Sequence, residues 1–343
     1  MNKISGDDIN KANASDNASF RELGGDLASE KISAGAEKVA AIRQEIAKVI
    51  VGQDQVVEEV LVTLLSSGHA LLVGVPGLAK TLLVETLGTV LGLSEKRVQF
   101  TPDLLPADIL GSEVLEEGEN GKRSFRFIKG PIFCQLLMAD EINRASPRTQ
   151  SALLQAMQEK TVTISGKTHK LKQPFHVLAT QNPIEQEGTY PLPEAQLDRF
   201  FAQVNVDYPD LESEREILIR TTGLNQQSIS AQLNEDGLEF LQHIVRAMPV
   251  GEKVVDAILK LVRSARPEGG DSPLSWGPGP RAAQSLMLGC RAKALIDGRI
   301  APSIDDVITL AKPILRHRIA LKFSARADGL TVDDIIDDLT KGL

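Results

Sequence analysis

Aromatic side chains are scarce in this sequence. They make up 4% of the 343 residues, with one Trp and two Tyr. This scarcity excludes an extended surface of rings on which the bases of single-stranded nucleic acid could stack. The hydrophobic core must therefore be mainly aliphatic, and a hydrophobic share of 42% is ample for it.

Cysteine, long apolar runs and excess positive charge are also lacking. Cys134 and Cys290 stand alone, which excludes a disulfide framework and a cysteine zinc site and predicts two buried free thiols. No apolar run reaches the roughly 20 residues that cross a bilayer, and the N-terminal stretch lacks a signal-peptide segment. We therefore expect a cytoplasmic protein without membrane insertion. The formal net charge of −8 makes nucleic acid an unfavoured partner.

The residue pattern divides the chain into three parts. Residues 1–38 are rich in Asn, Ser, Gly and Asp without a sustained apolar period, which predicts a disordered N-terminal tail. Residues 39–208 alternate short apolar runs with amphipathic helices, which is typical of an α/β domain with a parallel sheet flanked by helices. Residues 209–343 show almost only helical periodicity, so we expect a second, all-α domain there.

A glycine-rich loop follows the first apolar run, Ala70 to Val73, and leads into a helix. It matches the phosphate loop G-x-x-x-x-G-K-[ST] except that Ala79 replaces the second glycine. In such a loop the backbone N–H groups wrap phosphates, the Lys reaches the β and γ oxygens and the hydroxyl binds Mg²⁺. The predicted ATP-binding residues are Gly74, Val75, Pro76, Gly77, Leu78, Ala79, Lys80, Thr81 and Leu82.

Polar residues end the next two predicted strands. Asp140 and Glu141 follow the apolar run 136–139, where Asp140 would hold Mg²⁺ together with Thr81, and Glu141 would polarise an attacking water. Asn182 follows the run 175–179, and its amide would orient that water. The order of these signatures along the chain favours an ATP site over solvated strand ends.

Two hairpins are predicted within the first domain, at 112–128 and at 161–171, because alternating runs flank Gly-containing turns. Two arginines, Arg199 in Leu197-Asp-Arg-Phe200 and Arg281 after Pro280, could each stabilise negative charge on a transferred phosphoryl group.

Together with Val51-Gly52-Gln53 ahead of the first strand, these motifs resemble those of the MoxR family of AAA+ ATPases, from about residue 39 to the end. The resemblance implies an AAA+ core with a helix-2 insert at about 102–130, a pre-sensor-1 hairpin at 161–171 and an all-α lid. It also implies an ATPase using ATP and Mg²⁺. By this resemblance the sites are Walker A at Lys80 and Thr81, Walker B at Asp140 and Glu141, sensor 1 at Asn182, the arginine finger at Arg199, sensor 2 at Arg281 and an adenine pocket at Val51 and Gly52.

Arg199 indicates a homo-oligomer, because a finger at the end of a core helix would lie away from its own phosphate loop and act on a neighbour's. Head-to-tail interfaces close into rings, and the resemblance implies a hexamer. It further implies a chaperone that remodels, assembles or activates protein clients with a von Willebrand factor A domain protein.

Two alternative functions stay open. A DNA-acting helicase or loader would share every ATP motif, and Lys160, Lys167, Lys170 and Lys172 near the second hairpin would suit it. A chelatase-type motor subunit that powers metal insertion would share them as well.

Overall fold

The computed structural model describes residues 25–117, 123–185, 188–223, 227–234, 236–267 and 272–343. The helices are α1 (Gly25–Ala47), α2 (Asp54–Leu65), α3 (Lys80–Leu91), α4 (Pro106–Leu110), α5 (Pro147–Glu159), α6 (Glu194–Leu197), α7 (Leu211–Thr222), α8 (Gly237–Ala247), α9 (Glu252–Ser264), α10 (Pro280–Ile296), α11 (Ile304–Leu315), α12 (Phe323–Ala327) and α13 (Val332–Thr340). The strands are β1 (Ala70–Val73), β2 (Glu95–Gln99), β3 (Gly111–Glu117), β4 (Arg123–Lys129), β5 (Leu136–Asp140), β6 (Thr161–Ile164), β7 (Lys167–Lys170), β8 (His176–Gln181), β9 (Ala202–Asn205), β10 (Leu274–Trp276) and β11 (Ala320–Leu321).

The central sheet has five parallel strands in the order β2-β5-β8-β1-β9, which confirms the predicted α/β fold. Its inner strands β1, β5 and β8 are almost wholly buried. Helices cover both faces of such a sheet, and this is why these strands read as continuous apolar runs in the sequence. Because all five strands are parallel, the loops at their carboxyl ends lie along one side of the sheet, here called the carboxyl edge. The loops at their amino ends lie along the opposite side, the amino edge.

The edge strands escaped the sequence-based prediction. Strand β2 has the sequence Glu-Lys-Arg-Val-Gln, in which only Val98 is buried, and β9 has only Ala202 and Val204 buried. An edge strand has one neighbour and more solvent contact, so it needs no apolar run. Charge in β2 therefore concealed a strand that borders the candidate site.

Alternate residues of the strands feed two hydrophobic clusters, one on each face of the sheet. Leu72 and Leu178 join a cluster that also contains lid residues such as Leu286 and Ile314. Their neighbours Leu71 and Val177 face the opposite cluster. The lid helices thus share a core with the strands, although the sequence pattern changes near residue 208.

The predicted disordered tail, 1–38, is wrong for residues 25–38, which belong to the 23-residue helix α1. Ile32, Val39, Ile42 and Ile46 are each at most 4% exposed and recur along one face of this helix. Gly35 lies against side chains of α8 and α10. Packing against the rest of the chain thus stabilises a helix whose composition is only weakly apolar. Residues 1–24 of the expected tail lie outside the described ranges.

The expectation of an all-α lid also needs a small correction. In the described residues of 209–343, the regular structure is helical except for a two-stranded antiparallel sheet, in which β10 pairs with β11. These strands have three and two residues, too short to leave a periodic pattern in the sequence.

Both predicted hairpins are confirmed as β3–β4 and β6–β7, the turn 118–122 of the first lying outside the described residues. The two cysteines are buried free thiols as predicted, and burial raises the pKa of Cys134 to about 12. In the part of the chain that the structure describes, no helix is long and apolar enough to cross a membrane.

Candidate active site

The glycine-rich loop closes around the Lys80 side chain at the carboxyl end of β1. The Lys80 ammonium donates hydrogen bonds to the carbonyl oxygens of Gly74 at 2.7 Å and Val75 at 2.6 Å. Gly77 has φ +87° and faces open space, while Ala79 adopts the left-handed conformation with φ +54°. Ala79 thus keeps a conformation that suits glycine at this motif position, at a cost of about 1–2 kcal/mol.

The loop borders an open cleft of about 460 Å³, within the range of small-molecule sites. The cleft is lined by Gly74, Pro76, Gly77, Leu78, Ala79, Lys80, Thr81, Leu82, Arg97, Gln99, Asp140, Glu141, Thr180 and Asn182. The ends of β1, β5 and β8 therefore bring the loop, the acidic pair and Asn182 together. Partial burial lowers the pKa of Lys80, while Asp140 and Glu141 act in the opposite direction.

The acidic pair is held by polar side chains from the neighbouring strands. The Thr180 hydroxyl donates to Asp140 Oδ1 at 2.6 Å and accepts from the Glu141 N–H at 2.8 Å. Arg97 on β2 forms an ion pair with Asp140, with Nη2 2.5 Å from Oδ2, and Gln99 Nε2 donates to Glu141 Oε2 at 2.6 Å. Both carboxylates are thus engaged by the edge strand.

Thr180 on β8 lines the cleft without having been assigned a role from the sequence. Sequence reasoning also missed Arg97 and Gln99. They stand two positions apart on β2, which places both on the same face of the strand. The register pairs Gln99 with Asp140 and Arg97 with Met138. The signal was the pair of long polar residues on one face of Glu95–Gln99, but it is readable only once that segment is known to be a strand beside β5.

Oxygen donors suitable for Mg²⁺ are present in this cleft. Thr81 and Asp140 supply a hydroxyl and a carboxylate, both hard ligands, beside the loop that would hold phosphates. Among the described residues, no group of three or more His, Cys, Asp or Glu side chains could hold a metal ion. Mg²⁺ commonly binds through one or two protein groups together with substrate phosphates, so this donor set fits Mg²⁺ held with a nucleotide.

Val51 and Gly52 are not among the residues that line the cleft. Gly52 has φ +70°, and a Cβ added there would lie 2.4 Å from Ser213 Cβ on α7. The adjacent Gln53 donates from Nε2 to the Leu78 carbonyl at 3.1 Å. This segment therefore joins the first lid helix to the phosphate loop, and its role in holding adenine stays a prediction.

Arg199 and Arg281 line a second cavity of about 180 Å³ together with His69, Met157 and Gln158. His69 directly precedes β1, whereas the phosphate loop directly follows it. Arg199 likewise lies just before β9, which runs parallel to β1. The four residues of β1 put about 13 Å of strand between the two edges. The two arginines thus lie together at the amino edge, away from the chain's own loop.

The second cavity takes its positive charge from the arginines. Arg199 donates from Nη1 to the Leu154 carbonyl at 2.9 Å, and Arg281 Nη1 lies 3.1 Å from Asp198 Oδ2. His69 Nδ1 accepts from the Val177 N–H at 2.9 Å. Burial lowers the pKa of His69 to about 3, so its imidazole is neutral at physiological pH.

The two hairpins contact each other. The rings of Phe127 on β4 and His169 on β7 stack with centroids 4.2 Å apart, and Lys167 pairs with Glu113 at 3.2 Å. Phe125 stays 68% exposed. One of the hairpin lysines that would suit a nucleic-acid ligand is thus paired with an acidic residue of the insert.

Comparisons with known proteins agree with this arrangement. Residues 69–202 match the model of the ATPase family associated with various cellular activities, and residues 272–339 match the AAA lid domain. The chain is 45% identical to chaperone MoxR1 of Mycobacterium tuberculosis over 85% of this chain and 78% of that protein. It is 31% identical to protein MoxR of Paracoccus denitrificans over 80% and 86% of the two chains.

A solved structure is similar over nearly its whole length. It is that of a proposed ATPase from Cytophaga hutchinsonii, which is 38% identical and superposes with a TM-score of 0.86 over 94% of this chain and 98% of that one. The helical lid follows the parallel sheet in the order expected of this architecture. From these sequence and structural similarities, the chain belongs to the MoxR family of AAA+ ATPases.

Proposed function

We propose that the protein is a Mg²⁺-dependent, ATP-hydrolysing, ring-forming chaperone that remodels, assembles or activates protein partners. One observation carries the proposal: the phosphate loop and acidic pair occupy one edge of the sheet, while Arg199 and Arg281 share a cavity at the other. Each chain therefore presents a cleft for ATP and, separately, a pair of cations for the ATP of another chain.

Within the cleft each group has a distinct task. Lys80 and the backbone N–H groups of the loop bind the phosphates, while Thr81 and Asp140 would hold Mg²⁺, which neutralises charge on the β- and γ-phosphates when bound. Glu141 accepts a proton from the attacking water, and Asn182 orients that water. Gln99 and Arg144 donate to Glu141 Oε2 at 2.6 Å and 2.8 Å, so Oε1 is the oxygen proposed to receive the proton.

The arginine cavity would complete the cleft of the next subunit. Arg199 and Arg281 then stabilise the charge that develops on the transferred phosphoryl group. A contact between opposite edges of two copies is head to tail and closes into a ring if the rotation per subunit allows it. We propose a hexamer, in line with the family, with ATP at each interface.

Mixed assemblies test this arrangement. Arg199→Ala subunits lack the finger but keep their own cleft, and Lys80→Ala subunits have the opposite defect. We expect each variant alone to be inactive in ATP hydrolysis, and an equal mixture of the two to regain a measurable fraction of wild-type turnover. Mass photometry on the same samples would confirm that rings form. A mixture that assembles yet stays inactive would refute action across the interface.

The proposed partners are a von Willebrand factor A domain protein and its client, as the resemblance to this family implies. The stacked pair of hairpins, with Phe125 exposed, provides an apolar surface for a client. A Glu141→Gln variant should bind ATP without hydrolysing it and hold its partners. Affinity capture with this variant from native lysate, with Lys80→Ala as the matched control, should retain such a protein only in the Glu141→Gln sample. Its absence from the captured proteins would contradict this partner class.

A further inference from the structure

A fully buried arginine of the lid lies directly behind the loop that carries Arg199. Arg318 is 0% exposed and belongs to the short 3-10 turn Arg316–Arg318 that follows α11. Its guanidinium donates to the carbonyl oxygens of Phe200 at 2.7 Å and Phe201 at 3.1 Å. The neighbouring His317 also donates from Nε2 to the Phe200 carbonyl, at 3.1 Å. The lid is therefore hydrogen-bonded to the main chain directly after Arg199.

Asp198 directly precedes Arg199 in the chain, and two arginines of the lid share its carboxylate. Its Oδ1 accepts from Arg318 Nε at 2.8 Å, and its Oδ2 accepts from Arg281 Nη1 at 3.1 Å. Asp198 is about a quarter exposed, Arg281 nearly half and Arg318 almost not at all. Arg281 contacts Asp198 through Nη1 and can therefore offer its other guanidinium nitrogens to a phosphate while it stays on Asp198, which Arg318 holds from behind.

The geometry requires the guanidinium group. Arg318 presents its donors in a rigid planar fork that spans one carboxylate and two carbonyls. A lysine at this position would keep the charge beside Asp198 but offers donors from a single flexible point. Its ammonium would satisfy part of this set and leave the loop 198–201 less constrained.

We propose that Arg318 is a positioning residue that holds Asp198 and the 198–201 loop so that Arg199 and Arg281 meet the neighbouring subunit's nucleotide as one rigid unit. This inference rests on the proposed action of both arginines across the interface. It makes the lid and the 198–201 loop of one subunit a single rigid unit, because the turn 316–318 and α10 both contact Asp198. The chain's own ATP cleft lies at the opposite edge and does not depend on Arg318.

The test is the substitution Arg318→Lys, with Arg299→Lys as a matched control. Arg299 pairs with the buried carboxylate of Asp306 within the lid, with Nη1 2.8 Å from Oδ2, and it is not among the residues that line the arginine cavity. We expect Arg318→Lys to lower kcat for ATP hydrolysis by about 10²-fold, since a misplacement of about 1 Å has this effect. KM for ATP should stay within about twofold, because the cleft of the variant is intact, and Arg299→Lys should keep wild-type kcat. Thermal unfolding of both variants reports whether they fold.

Mixing with Lys80→Ala subunits distinguishes a positioning role from general destabilisation. Those subunits supply correctly held arginines to the intact clefts of Arg318→Lys, so an equal mixture should regain activity. Wild-type kcat in Arg318→Lys, or an equal loss in Arg299→Lys, would overturn the inference. So would failure of the Arg318→Lys mixture to recover while the Arg199→Ala mixture recovers. Failure of both mixtures would instead refute the proposed function on which the inference rests.

Discussion

At the carboxyl edge of the sheet, charged side chains hold one another through partly exposed contacts, such as the pair of Arg97 and Asp140. At the amino edge, the partly buried Arg199 and the exposed Arg281 are supported by a fully buried arginine, Arg318, and by its contacts to carbonyl oxygens. The first arrangement can rearrange when a ligand enters, whereas the second keeps its shape. The difference is consistent with the proposed division of roles, in which the cleft receives a ligand and the arginine cavity of another subunit presents a preformed surface to it.

The substitution Glu141→Gln, which changes only the cleft at the carboxyl edge, is expected to have the largest effect. If Glu141 accepts the proton from water as proposed, removing its carboxylate should slow ATP hydrolysis by about 10²- to 10⁴-fold while ATP stays bound. Single-turnover hydrolysis and titration with a fluorescent ATP analogue would measure the two quantities. Mixing with Lys80→Ala subunits should not restore activity, since both defects lie in the subunit's own cleft. Recovery of ATPase activity in that mixture would contradict the assignment of Glu141 and Lys80 to the same cleft.

A smaller effect is expected at Arg97. If Asp140 binds Mg²⁺ as proposed, its ion pair with Arg97 competes with the metal, and Arg97→Gln removes that pair. The Arg97 side chain is half-exposed, so the pair is worth about 0.5–1 kcal/mol. The Mg²⁺ concentration for half-maximal ATPase activity should fall by about two- to fivefold. Arg126→Gln, which removes an exposed ion pair on β4, is the control and should leave the value unchanged. A higher Mg²⁺ requirement in Arg97→Gln would show that Arg97 helps bind the nucleotide instead.

The amino edge should also be sensitive to acid, because it contains buried imidazoles. Burial lowers the pKa of His176 to about 4 from 6.5, so the unfolded chain binds the proton more tightly than the folded one. Neutral His176 therefore makes its full contribution to the free energy of unfolding above pH 6.5. That contribution is lost as the pH falls toward 4, and about 2 kcal/mol is gone at pH 5. Urea unfolding at pH 7 and pH 5 should show that His176→Asn reduces the difference by this amount. His243→Asn, an exposed control, should not change it.

The cleft was largely predictable from the sequence because its motifs are local. Asp140 ends β5, Asn182 directly follows β8, and Lys80 begins the helix after the loop that follows β1; parallel strands bring such ends to one edge. Arg97 and Arg318 were not assigned any role, because their roles depend on pairing and packing between distant segments. The burial of Arg318 in particular requires the lid to fold back onto the 198–201 loop, 117 residues away from it along the chain at Phe201.

The N-terminal part of the chain shows the same limit. Gly35 lies against Leu241, Ile244 and Leu295, more than two hundred positions later, and no local composition rule reports such a partner. The pattern that identified Ile42 and Ile46 as helical could have been extended backwards, but Ser33 and Gly35 have weaker helix propensity than the alanines around them and interrupt it.

The position of α1 has a consequence for how the protein melts. This helix contributes to the hydrophobic cluster that also includes residues of the sheet and of the lid. Parts that share one core lose their packing together, so core and lid are expected to unfold in a single cooperative transition. Calorimetry of the monomeric chain should then give one endotherm, with calorimetric and van't Hoff enthalpies in agreement.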